Sequence, residues 1–103
     1  MPAQRQADTS FKTNFSMELE NAINRCKNHM LKQKIVEISE ILKYSDPVSS
    51  AETVLYENRI MELFSEVKNS LYDETQTTAI SLCDETCQLM KQRNTVCAAS
   101  KKL

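Results

Sequence analysis

Three of the chain's four cysteines lie close together near its carboxyl end, at Cys83, Cys87 and Cys97. On a helix, Cys83 and Cys87 lie one turn apart on the same side, so both thiolates could bind one zinc ion. Cys97 lies about 15 Å beyond Cys87 along the helix axis, which is too far for it to share that ion. A thiol or zinc site would therefore combine Cys83 and Cys87 with Cys26 from elsewhere in the chain.

The same cysteines also fit the apolar face of a helix. Ile80 and Met90 fall on the side that carries Cys83, Cys87 and Cys97. Free cysteine is among the most buried residue types and packs as a small hydrophobe. Core packing is therefore the favoured interpretation, and we predict no metal ion and no other cofactor.

The three-residue spacing between Cys83 and Cys87 resembles half of the twin motif of small mitochondrial intermembrane-space chaperones. The nine-residue spacing between Cys87 and Cys97 resembles half of the motif of twin-cysteine helical hairpins. Both families carry a second matching pair in another helix, whereas this sequence has only Cys26 to offer. We assign the chain to neither family.

A basic run, from Arg25 to Lys34, is the second group of residues that could bind something. It holds four cations and no acid, and such a run can bind phosphate groups. Its charges fall on two sides of a helix, and no aromatic residue lies inside it to stack on a base. We interpret the run as a solvated face, with an acidic protein partner or nucleic acid as alternatives.

Catalysis has little support in the sequence. His29 is the only histidine, and no serine or cysteine pairs with it in a known motif. The acidic pairs at 73–74 and 84–85 are adjacent residues, which diverge on a helix and cannot form a carboxylate dyad. We therefore predict that the protein is not an enzyme.

Composition indicates one helical domain. The chain has 103 residues, 41% of them hydrophobic, a formal net charge of −1, two prolines and no glycine. Without glycine the tight turns of an all-β fold and the phosphate-binding loops are hard to build. No apolar run is long enough to cross a membrane, and the amino terminus lacks the apolar core of a secretory signal. The expected location is cytoplasmic or nuclear.

Start and stop signals divide this domain into helices. Ser16 is a plausible N-cap, and Pro47 pushes the preceding residue out of the helical region. Ser49 and Glu52 match the Ser-x-x-Glu capping box, so a second helix should begin there. A phase change of the apolar positions favours a break within residues 72–78.

These signals predict a three-helix up-down-up bundle or an extended helical hairpin. The helices span about 16–44, 50–71 and 77–98 in a single domain of residues 15–103. Residues 1–14 carry no sustained periodicity, and we predict that they form a flexible arm.

The first predicted helix carries two apolar rows that are displaced by about 100° of helix rotation. One row is Leu19, Ile23, Cys26 and Met30, and the other is Leu31, Ile35, Ile38 and Leu42. This displacement has two possible explanations. Either the helix is bent or has one wide face, so that both rows pack inside the chain, or one row is left free to bind another chain. Phe11 and Phe15, four residues apart, either cover the end of the bundle or anchor a partner.

We therefore expect a non-catalytic interaction module, an adaptor or a subunit of a larger assembly. It would bury an apolar helix face against another helical protein or a second copy of itself. The predicted partner-binding residues are Leu31, Ile35, Ile38, Leu42, Phe11 and Phe15. The alternatives are a thiol or zinc module that uses Cys83, Cys87 and Cys26, and nucleic-acid binding through Arg25–Lys34.

Overall fold

The structure of the chain is a computed structural model, which describes residues 9–71 and 77–101. Within these ranges every regular element is a helix, and no strand occurs. The expected all-α class is confirmed. The helices number four rather than the predicted three: α1 is Ser10–Arg25, α2 is His29–Lys43, α3 is Val54–Asn69 and α4 is Thr77–Lys101.

The predicted first helix is divided in two by a short extended corner. The backbone of Cys26 and of Asn28 is extended, with ψ of 125° and 121°. The Asn28 side chain accepts a hydrogen bond from the Leu31 N–H at 3.0 Å and so caps α2. A single helix over 16–44 is therefore wrong. Leu19 and Ile23 of the first row lie on α1, whereas the whole second row lies on α2. Met30, the last member of the first row, also falls in α2, where it lies on the surface.

α1 begins earlier than Ser16, at Ser10, so residues 10–14 of the expected arm are helical. Residues 1–8 lie outside the described part of the chain. Two phenylalanines in the first turns of α1 account for the early start. The rings of Phe11 and Phe15 stack 5.5 Å apart, and Phe15 meets Phe64 of α3 edge to face at 5.3 Å. Burying both rings stabilises these turns of the helix.

The start of α3 uses a capping box that is shifted by one residue from the predicted one. Ser50 Oγ accepts a hydrogen bond from the Thr53 N–H at 3.2 Å, and Thr53 Oγ1 accepts one from the Ser50 N–H at 2.8 Å. This reciprocal pair forms the turn that leads into Val54, the first residue of α3. Ser49, the predicted cap, instead donates its hydroxyl hydrogen bond to the Glu57 carboxylate in the first turn of α3.

α3 ends at Asn69 and α4 begins at Thr77, so the last two helices are separate elements. The predicted break begins at position 72, and residues 72–76 are not described. In α4 the residues at every third or fourth position lie on one face of the helix, and their side chains point into the protein. These inward residues are Ala79, Cys83, Thr86, Met90, Arg93 and Cys97.

The helices pack along their lengths into a compact body of 51 × 25 × 20 Å. α1 runs antiparallel to α2, since Lys12 near the start of α1 reaches the carbonyls of Lys43 and Ser45 at the end of α2. An ion pair between Glu18 and Lys68 joins α1 to α3. Within the described ranges, no helix has both the length and the apolar character needed to span a bilayer.

Candidate functional site

Arg93 of α4 is fully buried, with none of its surface exposed to solvent. Arginine is almost never buried this completely unless its charge is paired. The side chain lies on the inward face of α4, one turn beyond Met90, and points toward the loop between α2 and α3. We call this loop, residues 44–53, the α2–α3 loop.

The guanidinium of Arg93 binds an acid and the loop backbone together. Its Nε donates to Glu57 Oε2 at 2.9 Å. Its Nη1 donates to the Asp46 carbonyl at 2.9 Å, and its Nη2 to the Val48 carbonyl at 3.3 Å. The planar, forked arrangement of its donors allows one side chain to hold three acceptors at once.

Two further groups complete the surroundings of Arg93. The Asn94 side chain accepts a hydrogen bond from Nη1 at 3.3 Å. The guanidinium carbon lies 5.3 Å from the centre of the Phe11 ring, within the range of a cation–π interaction. Phe11 therefore covers the arginine as well as the end of the bundle.

Glu57 of α3 is the buried partner, with 7% of its side chain exposed. Besides Arg93 it accepts a hydrogen bond from the Ser49 hydroxyl, which lies 2.8 and 2.9 Å from its two oxygens. Glu57 also lies in the first turn of α3, where the helix dipole favours a negative charge. The carboxylate is fully engaged by Arg93 and Ser49, so the pair serves to position the loop.

Other side chains fix the beginning of the α2–α3 loop. Lys12 donates to the Lys43 carbonyl at 3.1 Å and to the Ser45 carbonyl at 2.9 Å. Asn94 donates to Ser45 Oγ at 2.9 Å. The Val48 N–H donates to the Asp46 side chain at 2.8 Å. Groups from α1, α3 and α4 thus hold a loop that contains no residue with positive φ.

The segment that contains this loop presents apolar side chains to solvent. Seven large hydrophobic residues are exposed in the described part of the chain, and four of them lie within residues 44–55. Tyr44 and Leu55 are the most exposed, at 79% and 75%, and the other two are Val48 and Val54. We call residues 44–55 the loop segment. It combines a fixed backbone with an exposed apolar surface.

The residues predicted to bind a partner are instead used within the chain. None of them is more than 9% exposed, because α1, α3 and α4 cover the inward face of α2 and the start of α1. Their burial agrees with the other interpretation of the sequence, in which these residues pack inside the chain. The six residues are Leu31, Ile35, Ile38, Leu42, Phe11 and Phe15.

The cysteines pack in or against the core, as their apolar pattern predicted. Cys26, Cys83 and Cys97 are buried and Cys87 is half-buried, all as free thiols. Burial, followed by the charges of Cys87, Asp84 and Cys26, raises the pKa of the Cys83 thiol to about 12. Burial, followed by nearby acids, also raises the pKa of Cys87. Metal binding and nucleophilic attack need the thiolate, the form that burial of these two thiols disfavours. Among the described residues no three His, Cys, Asp or Glu side chains are arranged to hold a metal ion.

The basic run is divided by the corner between α1 and α2. Lys34 forms an ion pair with Asp84 of α4 at 3.0 Å, and the hydrogen bond to Asp84 raises the pKa of Lys34. Arg25, Lys27 and Lys32 are exposed. The run is therefore a surface, as predicted, and three of its four cations are open to solvent.

The sequence analysis missed Arg93 and Glu57 as members of the site. A signal existed, because the inward positions of α4 from Ala79 to Cys97 alternate in steps of four and three residues. Arg93 interrupts an otherwise small or apolar row at this spacing. A lone arginine on a core-facing row indicates a buried charge that needs a partner.

Comparison of the chain with protein-family models, with curated protein sequences and with solved structures gives no match.

Proposed function

We propose that the protein is a non-catalytic helical module that binds another protein through the loop segment, residues 44–55. It would act as an adaptor or as a subunit of a larger assembly. The contact would bury Tyr44, Val48, Val54 and Leu55 against an apolar surface of the partner.

The observation that carries the proposal is the concentration of exposed apolar side chains in the loop segment. Single exposed hydrophobic residues are normal on protein surfaces, whereas a group of them marks an interaction site. Burying a side chain such as Leu55 contributes about 1.5–3 kcal/mol of favourable free energy, which the unbound chain does not gain. Tyrosine, here Tyr44, is enriched in interfaces because it joins apolar area to a hydroxyl.

The fixed backbone of the loop supports the same proposal. A flexible loop loses conformational entropy when it binds, at about 1–2 kcal/mol per residue that becomes ordered. Here Arg93, Lys12 and Asn94 already hold the loop in one conformation. The segment can therefore bind with little further loss of entropy. The network buries a charge and thereby orders a surface loop. A loop that must keep one shape in order to bind a partner would explain this arrangement.

Site-specific photocrosslinking tests the proposal. A photoreactive phenylalanine analogue is placed at position 44 or 55 in the full-length chain, and at Ser81 on the exposed side of α4 as a control. After irradiation in cells that express the chain, mass spectrometry identifies the crosslinked product. We expect the same protein at positions 44 and 55 and not at position 81. A second copy of the chain captured at both positions would make the module a homo-oligomer, which still supports association through this segment.

A charge substitution adds an independent readout. Leu55→Asp should reduce the crosslink from position 44 about tenfold or more, since a charge in an apolar contact is poorly tolerated. Because Leu55 is exposed, the free energy of unfolding should change by no more than about 0.5 kcal/mol. Ser81→Asp is the matched control and should leave the crosslink unchanged. The proposal fails if positions 44 and 55 capture nothing that position 81 does not, or if Leu55→Asp leaves the product intact.

A further inference from the structure

Basic side chains gather where α1 meets α2, at the end of the α1–α2 pair opposite to the loop segment. Arg25 ends α1, Lys27 lies in the corner, and His29 and Lys32 occupy the first turn of α2. All four are exposed. Of the ion pairs within the part of the chain that is described, none involves these four residues. We call them the basic corner.

The basic corner contains no acidic residue of its own. The first turn of α2 contains no acidic residue, although the positive end of the helix dipole favours one there. No acid occurs anywhere in residues 25–36. Lys34 shows the contrast, because Asp84 neutralises it from α4. The corner is thus a local positive surface on a chain whose net charge is −1.

Apolar side chains adjoin the basic corner. Met30 is 65% exposed and Val36 is 39% exposed. A shallow surface concavity of about 400 Å³ lies along this side of α2, with Lys32 and Val36 on its walls and Glu37 at its far end. An occupant of this surface meets cations at one end and an apolar side chain next to them.

We propose that the basic corner and the adjoining face of α2 bind an acidic amphipathic helix of another protein. Carboxylates of that helix would pair with Lys27 and Lys32, and an apolar residue one turn away would pack on Val36. Acids and apolar residues at turn spacing are what an amphipathic helix presents. Complementary charge fixes the orientation of such a contact and speeds its formation.

Nucleic acid fits this surface less well. No aromatic residue occurs in residues 25–36 to stack on a base. The exposed apolar side chain of Val36, which lines the concavity, has no role against phosphates, whereas it matches the apolar stripe of a helix.

The inference extends the proposed function to a second surface. α2 has 15 residues and is therefore about 22 Å long, so it separates the basic corner from the loop segment. One chain could then join two partners of different chemistry. Because the two surfaces share no residue, failure of the crosslinking test leaves this inference standing, and the reverse also holds.

Fluorescence anisotropy on the full-length chain tests the inference with a labelled peptide of defined design. The peptide has about 18 residues of Glu, Ala and Leu, with leucines at helical spacing, and the comparison peptide has the same composition in scrambled order. We expect the amphipathic peptide to bind at least about fivefold more tightly than the scrambled one. Raising the salt from about 50 to about 300 mM should weaken that binding several-fold.

Charge variants locate the contact. Lys27→Glu combined with Lys32→Glu should weaken peptide binding about tenfold or more, and Val36→Ser about threefold. Lys91→Glu, at an exposed position on α4, is the control for net charge and should change binding less than twofold. Equal binding of the two peptides, or equal loss with Lys91→Glu, would overturn the inference. So would tighter binding of an oligothymidylate strand of similar charge through Lys27 and Lys32, because the surface would then be a polyanion site.

Discussion

The Arg93 guanidinium and the Glu57 carboxylate meet 2.9 Å apart inside the core, although 36 residues separate them in the sequence. Removing two charges from water costs several kcal/mol per ion, and the attraction between them recovers this only when further hydrogen bonds are made. Here Ser49 and the carbonyls of Asp46 and Val48 provide those bonds. The pair therefore determines the shape of a loop more than it adds to the overall stability.

Arg93→Met should destabilise the protein by about 3–5 kcal/mol, because the buried Glu57 carboxylate would lose its positive partner and keep only the Ser49 hydroxyl. Urea unfolding at neutral pH, followed by circular dichroism, measures the change. Arg93→Lys keeps the charge but has a single ammonium group in place of the forked donors. It should give an intermediate loss, and a loss below about 1 kcal/mol for Arg93→Met would contradict the buried pair.

Replacing both partners separates the cost of an orphaned charge from the loss of the pair. The double variant Arg93→Met with Glu57→Leu should be more stable than Arg93→Met alone, since it leaves no buried charge. The loop should nonetheless lose order, because Asp46 and Val48 lose their donor. Faster amide hydrogen exchange in residues 44–50 of the double variant measures this. Unchanged exchange there would show that Arg93 does not hold the loop.

Two substitutions can distinguish the Ser50–Thr53 capping box at the start of α3 from the predicted Ser49–Glu52 box. Ser50→Ala removes the side-chain acceptor that caps the first turn and should cost about 1 kcal/mol in the free energy of unfolding. Glu52→Ala removes the acid that the sequence pattern predicted, and it should change stability by less than about 0.5 kcal/mol. Thermal unfolding of both variants decides between the boxes. The opposite order of effects would support the Ser49–Glu52 box.

The corner between α1 and α2 depends on the side chain of Asn28. Asn28→Ala should cost about 1 kcal/mol, because the Leu31 N–H loses its acceptor. Asn28→Asp keeps the acceptor and adds a negative charge at the positive end of α2, so it should equal or exceed the wild type by about 0.3–1 kcal/mol. Denaturant unfolding of the three proteins provides the comparison. An aspartate as damaging as the alanine would show that capping does not form this corner.

Burial of the Cys83 thiol makes stability depend on alkaline pH. Its pKa is raised from 9.0 to about 12, so the protonated thiol is favoured in the folded state. This contribution is complete below about pH 9, the pKa in the unfolded chain, and is lost as the pH rises toward 12. Between pH 8 and 10 it should fall by about 1 kcal/mol.

The difference between the wild type and Cys83→Ala isolates this contribution, because other titrating groups are common to both. Unfolding free energies measured at intervals from about pH 7 to 10 should fall more steeply for the wild type. Parallel curves would show that the Cys83 thiol is not held protonated by the fold.

The apolar periodicity predicted most of what the core contains. Ile60, Leu63 and Val67 of α3 recur at spacings of three and four residues, which places them on one helix face, and they are buried together with the adjacent Phe64. α4 begins at Thr77, where the third predicted helix begins. These features depend on local patterns that a short window of sequence carries.

The remaining features depend on contacts between distant positions. In the sequence, Asn28 looks like an ordinary polar residue within a helix. It is identified as part of a corner only when the displaced apolar rows are assigned to two helices. The choice of Ser50 rather than Ser49 as a cap follows from Glu57, which engages the Ser49 hydroxyl eight residues away. The spacing of α4 marks Arg93 as a core-facing position, but its partner is Glu57, which lies 36 residues away in the sequence. In each case the deciding partner lies outside the window in which the pattern is read.

The hydrogen bonds that hold the α2–α3 loop also determine the order in which parts of the fold can form. α1 and α2 are joined by a three-residue corner, so their pairing needs only local chain closure. The Asp46 carbonyl is 47 residues from the arginine that holds it, and that arginine lies on the last helix. We therefore expect the loop to take its final shape only when α4 docks, late in folding. The proposed partner-binding surface would then take its binding shape only after α4 has been synthesised and has docked.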